Sequence, residues 1–206
     1  FSLEPVRRSL RSQTAALRTG GVLIVRDFVV PRGPEQVLLD LPTRDGQPEG
    51  AVQTLSTAAL FERFAQAFRS SQNLDGPVPF VRLGIVRPGW MRYRLSLRAA
   101  TEFVLHKDYR DHWDAECREE YTFFRQADYE QALADSGLRV VVSVELRNPW
   151  IVQNRFRGHF FLYDLSGRPL PVPPINYLIV GEKVASGQGV RFAVQRAPEL
   201  PPQFLQ

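Results

Sequence analysis

The chain has 206 residues, of which 44% are hydrophobic, enough for one domain with an apolar core. Its formal net charge of +4 is compatible with nucleic acid, anionic lipid or an acidic small substrate as a partner. The single cysteine, Cys117, excludes an intrachain disulfide and a cysteine-based metal site, and it predicts a cytoplasmic protein without a metal. No apolar run reaches the ~18 to 20 residues of a spanning helix, so we expect no membrane span.

The first regular elements are a helix and a strand. Apolar residues at helical spacing predict an amphipathic helix over residues 2–17, which Gly20 and Gly21 end. The β-branched run 22–30, interrupted by Arg26 and Asp27, predicts a strand buried along most of its length. This order is typical of parallel sheets. The sequence begins at Phe1 in a segment already predicted to be structured, as a fragment of a longer chain would.

The middle of the chain is predicted to consist of loops and helices. Residues 31–49 have the composition of a loop, and Ser56 then begins a second helix. One side of that helix is apolar and carries Leu60, Phe61, Phe64 and Phe68. A loop rich in glycine and proline follows, and a third helix is predicted within residues 94–113.

The last third repeats the order of helix, glycine and strand. A helix is predicted over residues 126–136, Gly137 ends it, and a strand follows over residues 138–146. HFFLYDLSGRPLP predicts a strand that runs into a turn at Ser166 and Gly167, and NYLIVGEKV predicts another strand. Residues 185–206 are predicted to be a weakly structured tail.

Three of these segments together resemble class I S-adenosylmethionine-dependent methyltransferases. AALRTGGVLIVRDF resembles the fifth-strand segment of that family, with Thr19 in place of the proline of L-x-P-G-G. EEYTFFRQADYEQALADSGLRVVVSVEL resembles the helix that leads into the sixth strand. NYLIVGEKV resembles the seventh strand, which the family inserts antiparallel beside the sixth. The resemblance covers residues 2–184.

The resemblance implies an α/β fold class: a partial Rossmann-like methyltransferase sheet, comprising the fifth strand and the antiparallel pair of sixth and seventh strands, with flanking helices. Residues 1–184 would be the C-terminal part of the methyltransferase-like domain, with a helical insertion at about residues 31–113. The function implied is methyl transfer from S-adenosylmethionine to an unidentified acceptor, with this chain supplying the acceptor-binding half.

The parts that would bind the cofactor do not occur in the sequence. It has no G-x-G-x-G loop after an apolar strand, and Gly187 and Gly189 precede no helix, so they predict a turn. The cofactor-binding residues are therefore unknown. The missing N-terminal half, a partner chain or a second copy of this chain should cover the open edge of such a half sheet. The alternative function is a noncatalytic, degenerate methyltransferase-like module that binds nucleic acid or a partner subunit.

The densest group of reactive side chains is the run HKDYRDHW. In the transferase hypothesis a base or orienting group for catalysis comes from His106, Tyr109 or His112. The rest of the run would bind an anionic part of the acceptor or stack on it, through Lys107, Arg110 and Trp113. The alternative is a solvated helix end whose aromatic rings pack on a neighbouring element and whose charges favour the helix dipole.

A second group follows the predicted sixth strand in RNPWIVQNRFRGHF. Ligands in open α/β sheets bind beyond the carboxyl ends of strands, so Trp150, Asn154 and Arg155 are predicted to bind the acceptor, or nucleic acid. The alternative is a surface connection with the tryptophan packed into the core. Asp27, at the carboxyl end of the first strand, is predicted to face the acceptor; the alternative is that Arg26 and Asp27 pair with neighbouring chain.

Overall fold

A computed structural model describes residues 3–70 and 76–185 of the chain. Within those residues the helices and strands follow the order α1 (Leu3–Ala16), β1 (Val22–Asp27), β2 (Gln36–Pro42), α2 (Thr57–Ala67), β3 (Phe80–Arg87), β4 (Trp90–Ser96), α3 (Leu97–His106), α4 (Trp113–Glu116), α5 (Gln126–Asp135), β5 (Leu138–Leu146), α6 (Pro149–Ile151), β6 (Phe161–Tyr163) and β7 (Asn176–Lys183). The predicted mixture of helices and strands is confirmed. None of these helices is long and apolar enough to cross a membrane.

The chain forms two compact units from alternating segments. The first comprises the described residues of 1–29, 124–147 and 174–206, and the second comprises those of 30–123 and 148–173. The insertion predicted at residues 31–113 falls within the second unit. The turn predicted at Gly187 and Gly189 lies outside the described residues, as does the predicted tail beyond residue 185.

The first unit contains a three-stranded antiparallel sheet in the order β1-β7-β5. β7 pairs with β1 from Val22 opposite Glu182 to Asp27 opposite Tyr177, and its other edge pairs with β5. β1 and β5 therefore run in the same direction but are separated by β7. This corrects the expectation of a parallel sheet, because β7 is the hydrogen-bonding neighbour of both strands.

Glycines follow both helices of the first unit, Gly137 directly after the C-terminal cap of α5 and Gly20 three residues beyond the non-helical Leu17. Gly20 has φ +78° after α1, and its N–H donates to the carbonyl of Lys183 at 2.9 Å. Gly137 has φ +81° between α5 and β5. A third glycine, Gly181 of β7, is needed for space, because a Cβ atom there would lie 2.8 Å from Cδ2 of Leu133. The absence of a side chain lets α5 approach the sheet closely.

The edge strand β1 is more exposed than its apolar sequence predicts. Val22 and Ile24, which share one face of the strand, are 52% and 63% exposed, and within residues 3–70 and 76–185 no strand pairs with the second edge of β1. The prediction that this strand is buried along most of its length is wrong. Arg26 and Asp27 are exposed too, so neither carries the cost of a buried charge. Two guanidinium nitrogens of Arg26, Nη2 and Nε, donate to Oδ1 of Asn176, at 2.6 and 3.1 Å.

The second unit contains a four-stranded antiparallel sheet in the order β3-β4-β2-β6. The sequence patterns missed three of its strands. β2 lies in the segment predicted to be a loop at residues 31–49, where the apolar run QVLLDLP lacks the alternation of a half-buried strand. β3 and β4 form a hairpin after α2, and the third helix begins at Leu97 because residues 94–96 still pair with β2.

Helix α2 and the facing strands form the aromatic core of the second unit. Ser56 caps α2, as predicted, and accepts a hydrogen bond from the backbone N–H of Ala59 at 3.3 Å. The predicted apolar face is confirmed, since all four of its members are buried. The ring of Phe61 lies 4.7 Å from that of Tyr93 and 5.1 Å from that of Phe103, in edge-to-face geometry.

A buried ion pair links the two central strands of this sheet. Asp40 of β2 and Arg92 of β4 are direct cross-strand neighbours, and the guanidinium donates to both carboxylate oxygens, at 2.6 and 2.8 Å. Asp40 is almost fully buried. Its hydrogen bond raises the pKa of Arg92, although burial opposes that effect. The positive charge of Arg92 therefore offsets the cost of burying the carboxylate of Asp40.

We expect Asp40→Asn to destabilise the protein by about 3 kcal/mol, because it leaves the guanidinium of Arg92 without its buried partner. The matched control is Glu182→Gln, which removes another cross-strand pair, that of Glu182 with Arg139, on the exposed surface. The control should cost between ~0 and 1 kcal/mol. Urea denaturation of both variants measures the difference, and equal losses would contradict the assigned role of the Asp40–Arg92 pair.

Candidate functional site

The run HKDYRDHW, predicted to be one helix end, divides at His106. Ser96 caps α3 through a hydrogen bond from Ala99 at 3.1 Å, and the helix ends at His106. The backbone of Tyr109 leaves the helical region, and a 3₁₀ turn over Arg110–His112 leads into α4. The reactive side chains of this run therefore point in several directions, some into the core and some to the surface.

His106 is fully buried, with 0% of its surface exposed. Its Nδ1 lies 2.7 Å from the carbonyl oxygen of Glu102, and its Nε2 lies 3.1 Å from that of Glu119. The ring also stacks on Tyr121, with 4.2 Å between centroids. Both ring nitrogens are thus occupied by the backbone of this chain. These contacts favour a structural role for His106, and its role as a general base stays a prediction.

Glu102, one turn before His106, joins α3 to the segment that follows α4. Its carboxylate accepts hydrogen bonds from the backbone N–H of Tyr121 at 3.2 Å and from both the N–H and the hydroxyl of Thr122, at 2.6 and 2.5 Å. Burial raises the pKa of Glu102, and the hydrogen bonds from Thr122 oppose that shift. The sequence patterns gave this residue no role. The available signal was an acid amid the apolar residues of ATEFVL.

Three more predicted binding residues serve the fold of the second unit. Trp113 is buried against Phe64 with 6.2 Å between ring centroids, and its Nε1 has no acceptor among the described residues. Lys107 is buried, and its Nζ lies 2.8 and 2.9 Å from the oxygens of Asp108. Arg110 donates to backbone carbonyls, the shortest bond being 2.6 Å to Leu55. The predicted stacking of Trp113 on an acceptor stays a prediction.

His112 keeps an exposed ring at the rim of a cleft. The cleft has a volume of about 280 Å³ and lies between the 3₁₀ turn over Val52–Thr54 and the one over Arg110–His112. Its lining is Val52, Gln53, Arg110, Asp111, His112, Trp113, Asp114 and Ala115. The role of His112 in catalysis stays a prediction.

Tyr109, Trp150 and Arg155 come together on the surface of the second unit, and we call them the Arg155 cluster. The guanidinium carbon of Arg155 lies 5.8 Å from the ring centroid of Tyr109 and 5.7 Å from that of Trp150. Tyr109 is 43% exposed and Trp150 is 60% exposed. The alternative interpretation of Trp150 as a core residue is therefore wrong, and two separate predicted groups contribute to one site.

The backbone around α6 explains why Trp150 and Arg155 meet. Asn148 caps α6 by accepting a hydrogen bond from the N–H of Trp150 at 2.9 Å. A π-helical turn follows over Val152–Phe156, closed by the N–H of Arg157 on the carbonyl of Val152 at 2.8 Å. Arg155 lies within this turn and Trp150 two residues before it, and the guanidinium carbon is 5.7 Å from the Trp150 ring centroid. Such turns are frequent at functional sites and give no signal in hydrophobic periodicity.

Two side chains complete the surroundings of the Arg155 cluster. Asn154, predicted to contact the acceptor, donates from Nδ2 to the carbonyl of Trp150 at 2.8 Å and so stabilises the turn. Burial lowers the pKa of Lys107, and the nearby charges of Arg155 and Arg110 lower it further, while Asp108 opposes them.

Asp27 belongs to the first unit, where the hydroxyl of Tyr129 donates to its Oδ2 and the N–H of Phe28 donates to its Oδ1 at 2.8 Å. Tyr129 is buried, and its pKa is raised by that burial and by the carboxylate. The carboxylate of Asp27 is thus held by Tyr129 and Phe28 of the same unit, while the residue remains exposed. Its predicted contact with an acceptor stays a prediction.

The first unit also buries a polar network that the sequence did not predict. The hydroxyl of Ser143 bonds with the hydroxyl of Tyr177 and with the carboxylate of Glu130, and Gln126 donates to Ser143 at 2.8 Å. Burial raises the pKa of Tyr177 to about 12. The network fixes α5, β5 and β7 relative to one another through side chains.

We expect Glu102→Gln to destabilise the protein by about 1 to 3 kcal/mol, because the new amide can accept from Thr122 but would turn its NH₂ towards the N–H of Tyr121. Glu119→Gln is the matched control. It changes an exposed side chain and keeps the carbonyl that bonds His106, so its stability should equal that of the wild type. Thermal unfolding compares the two variants, and a neutral effect of Glu102→Gln would argue against the role assigned to that carboxylate.

We expect stability to fall as the pH rises from about 10 to about 12. An unfolded tyrosine loses its proton near its ordinary pKa of 10.0, whereas folded Tyr177 keeps the proton until about 12, so ionisation favours unfolding within that window. Melting temperatures measured from roughly pH 8 to 12 should fall less steeply for Tyr177→Phe. Tyr109→Phe, which changes an exposed ring, is the control. The same slope for Tyr177→Phe and the wild type would contradict this account.

No protein-family model matches the chain, and neither does any curated protein or solved structure. The guides to its function are therefore the chemistry of its own side chains and the order of its strands.

Proposed function

We propose that the chain is the acceptor-binding part of an S-adenosylmethionine-dependent methyltransferase and takes part in methyl transfer to an acceptor. The observation that carries the proposal is the strand order of the first unit. β7 lies antiparallel beside β5, as the resemblance implies for the seventh and sixth strands, and α5 with Gly137 leads into β5. The order counts for more than any single motif, because each motif recurs in unrelated α/β proteins.

The open edge of β1 supports the same proposal. Its run VLIV contains no charge or proline, and its pairing with β7 is free of bulges, so the charges that protect this edge are confined to Arg26 and Asp27 at its end. A strand that is apolar on both faces is typical of the interior of a sheet. We infer that further polypeptide covers this edge: an N-terminal half, a partner chain or a second copy of this chain.

The described residues do not fit a site for S-adenosylmethionine. The sequence has no glycine-rich loop between a strand and a helix that could hold the cofactor. We therefore assign cofactor binding to the covering polypeptide and derive no step through it from this chain. The cytoplasmic location is part of the same proposal and rests on the cysteine content alone.

Within the proposal, this chain positions the acceptor. Catalysis of methyl transfer depends mainly on holding the acceptor in line with the methyl group, so a rigid binding surface contributes directly to the rate. The Arg155 cluster supplies that surface, with its guanidinium and its two exposed rings. His112 is the candidate for removing a proton from the acceptor, because its ring is exposed where that of His106 is buried.

The test is calorimetric titration of S-adenosylmethionine and S-adenosylhomocysteine into the 206-residue chain and into the longest form that its gene encodes. We expect binding to the longer form alone. The absence of binding to either form would reject the transferase. Binding of a single-stranded oligonucleotide instead would favour the noncatalytic module.

A pair of variants of the longer form tests whether the open face of β1 is covered. Ile24→Lys places a charge on that face and should abolish binding of S-adenosylhomocysteine, because a covered lysine would have to be desolvated. Ile85→Lys is the matched control, since Ile85 is an exposed isoleucine in β3, the edge strand of the other sheet. It should bind normally. Normal binding by Ile24→Lys would show that nothing covers this face.

A further inference from the structure

Arg155 is partly buried, and among the described residues its guanidinium has no anionic partner. Among the described residues it makes no hydrogen bond or ion pair, and its neighbours are the ring faces of Tyr109 and Trp150. The other two cations of this region are engaged, Lys107 by the carboxylate of Asp108 and Arg110 by backbone carbonyls. A partly buried cation without a counterion loses hydration, so an anion that reaches it would be stabilised.

The two rings beside Arg155 indicate what the anion is attached to. Trp150 exposes most of its ring beside a charged group, although large aromatic side chains are usually well buried. A guanidinium that stacks on an aromatic face still presents its N–H edge, which matches a carboxylate bidentately. A planar ring can therefore stack on Trp150 or Tyr109 while a carboxylate on that ring accepts hydrogen bonds from Arg155.

The surface is also held in place before any ligand arrives. The cap from Asn148, the bond from Asn154 and the π turn fix the backbone between Trp150 and Arg155. Preorganisation of this kind reduces the entropy lost on binding. A single guanidinium balances the single charge of a carboxylate.

We propose that the Arg155 cluster binds a planar aromatic carboxylate, and that the acceptor of the methyl group belongs to this class. The identification as the acceptor rests on the proposed transferase function. The binding itself does not, because it requires only the residues of this chain.

The experiment is calorimetric titration of 2-naphthoate into the 206-residue chain at constant ionic strength. Two analogues separate the contributions: 2-naphthamide keeps the rings without the charge, and cyclohexanecarboxylate keeps the charge without an aromatic ring. We expect 2-naphthoate to bind, and each analogue to bind at least roughly tenfold more weakly.

Two arginine variants form a matched pair. Arg155→Gln and Arg157→Gln each remove one positive charge from the same segment, but Arg157 is exposed and donates to Gln153 at 3.1 Å instead of lying between rings. We expect Arg155→Gln to lose at least roughly tenfold in affinity for 2-naphthoate, and Arg157→Gln to match the wild type. Trp150→Ala should also weaken binding. Circular dichroism confirms that each variant is folded.

Several outcomes would overturn the proposal: no binding of 2-naphthoate, binding of either analogue as tightly as 2-naphthoate, or the same affinity in Arg155→Gln and the wild type. Preference for a single-stranded oligonucleotide over 2-naphthoate would replace it with a nucleic-acid surface. Failure of this titration while the longer form binds S-adenosylhomocysteine would reject the acceptor class and keep the transferase. The reverse result would keep the aromatic carboxylate as a ligand and reject the transferase.

Discussion

The main-chain hydrogen bonds of β7 are the interaction on which the first unit depends. β1 and β5 do not pair with each other, and each joins the sheet through β7. The register of these ladders also decides that Tyr177, Ile179 and Gly181 share the face beneath α5, where Gly181 gives the helix room. A slip of one residue would move this whole set to the opposite face. The position of β7 is thus a condition for the core and for the buried polar network.

In the second unit, folding uses most of the side chains that looked reactive in the sequence. His106 gives both ring nitrogens to carbonyls, Lys107 pairs with Asp108, and Arg110 bonds to the backbone. Glu102 holds the neighbouring segment through three hydrogen bonds. Among the described residues Arg155 makes no hydrogen bond or ion pair, so its guanidinium stays available on the surface for a ligand.

How much of the fold could be predicted depended on local signals. α5, β5 and β7 were placed within one residue, because Gly137 separates the first two and the pattern of NYLIVGEKV is clear. β2 was missed because a strand paired on both edges and buried on both faces has a plain apolar run, in a segment whose prolines indicate loops.

The candidate site was predicted only in part, because burial depends on residues distant in the chain. The burial of His106 comes from Phe64, Phe68 and Tyr121, none of which is part of its own helix. Residues of both predicted groups do meet at Arg155. The turn that places Arg155 beside Trp150 and Tyr109 gives no signal in hydrophobic periodicity.

The interleaving of the two units has a consequence for synthesis on the ribosome. Every segment of the second unit is complete by residue 173, whereas the first unit needs β7, whose Asn176 lies 150 positions after its partner Arg26. The chain between them folds while β1 still lacks its only described neighbour. During that interval the VLIV segment is open to other nascent chains. Translation speed and chaperone supply should therefore govern how much of the protein reaches its folded state.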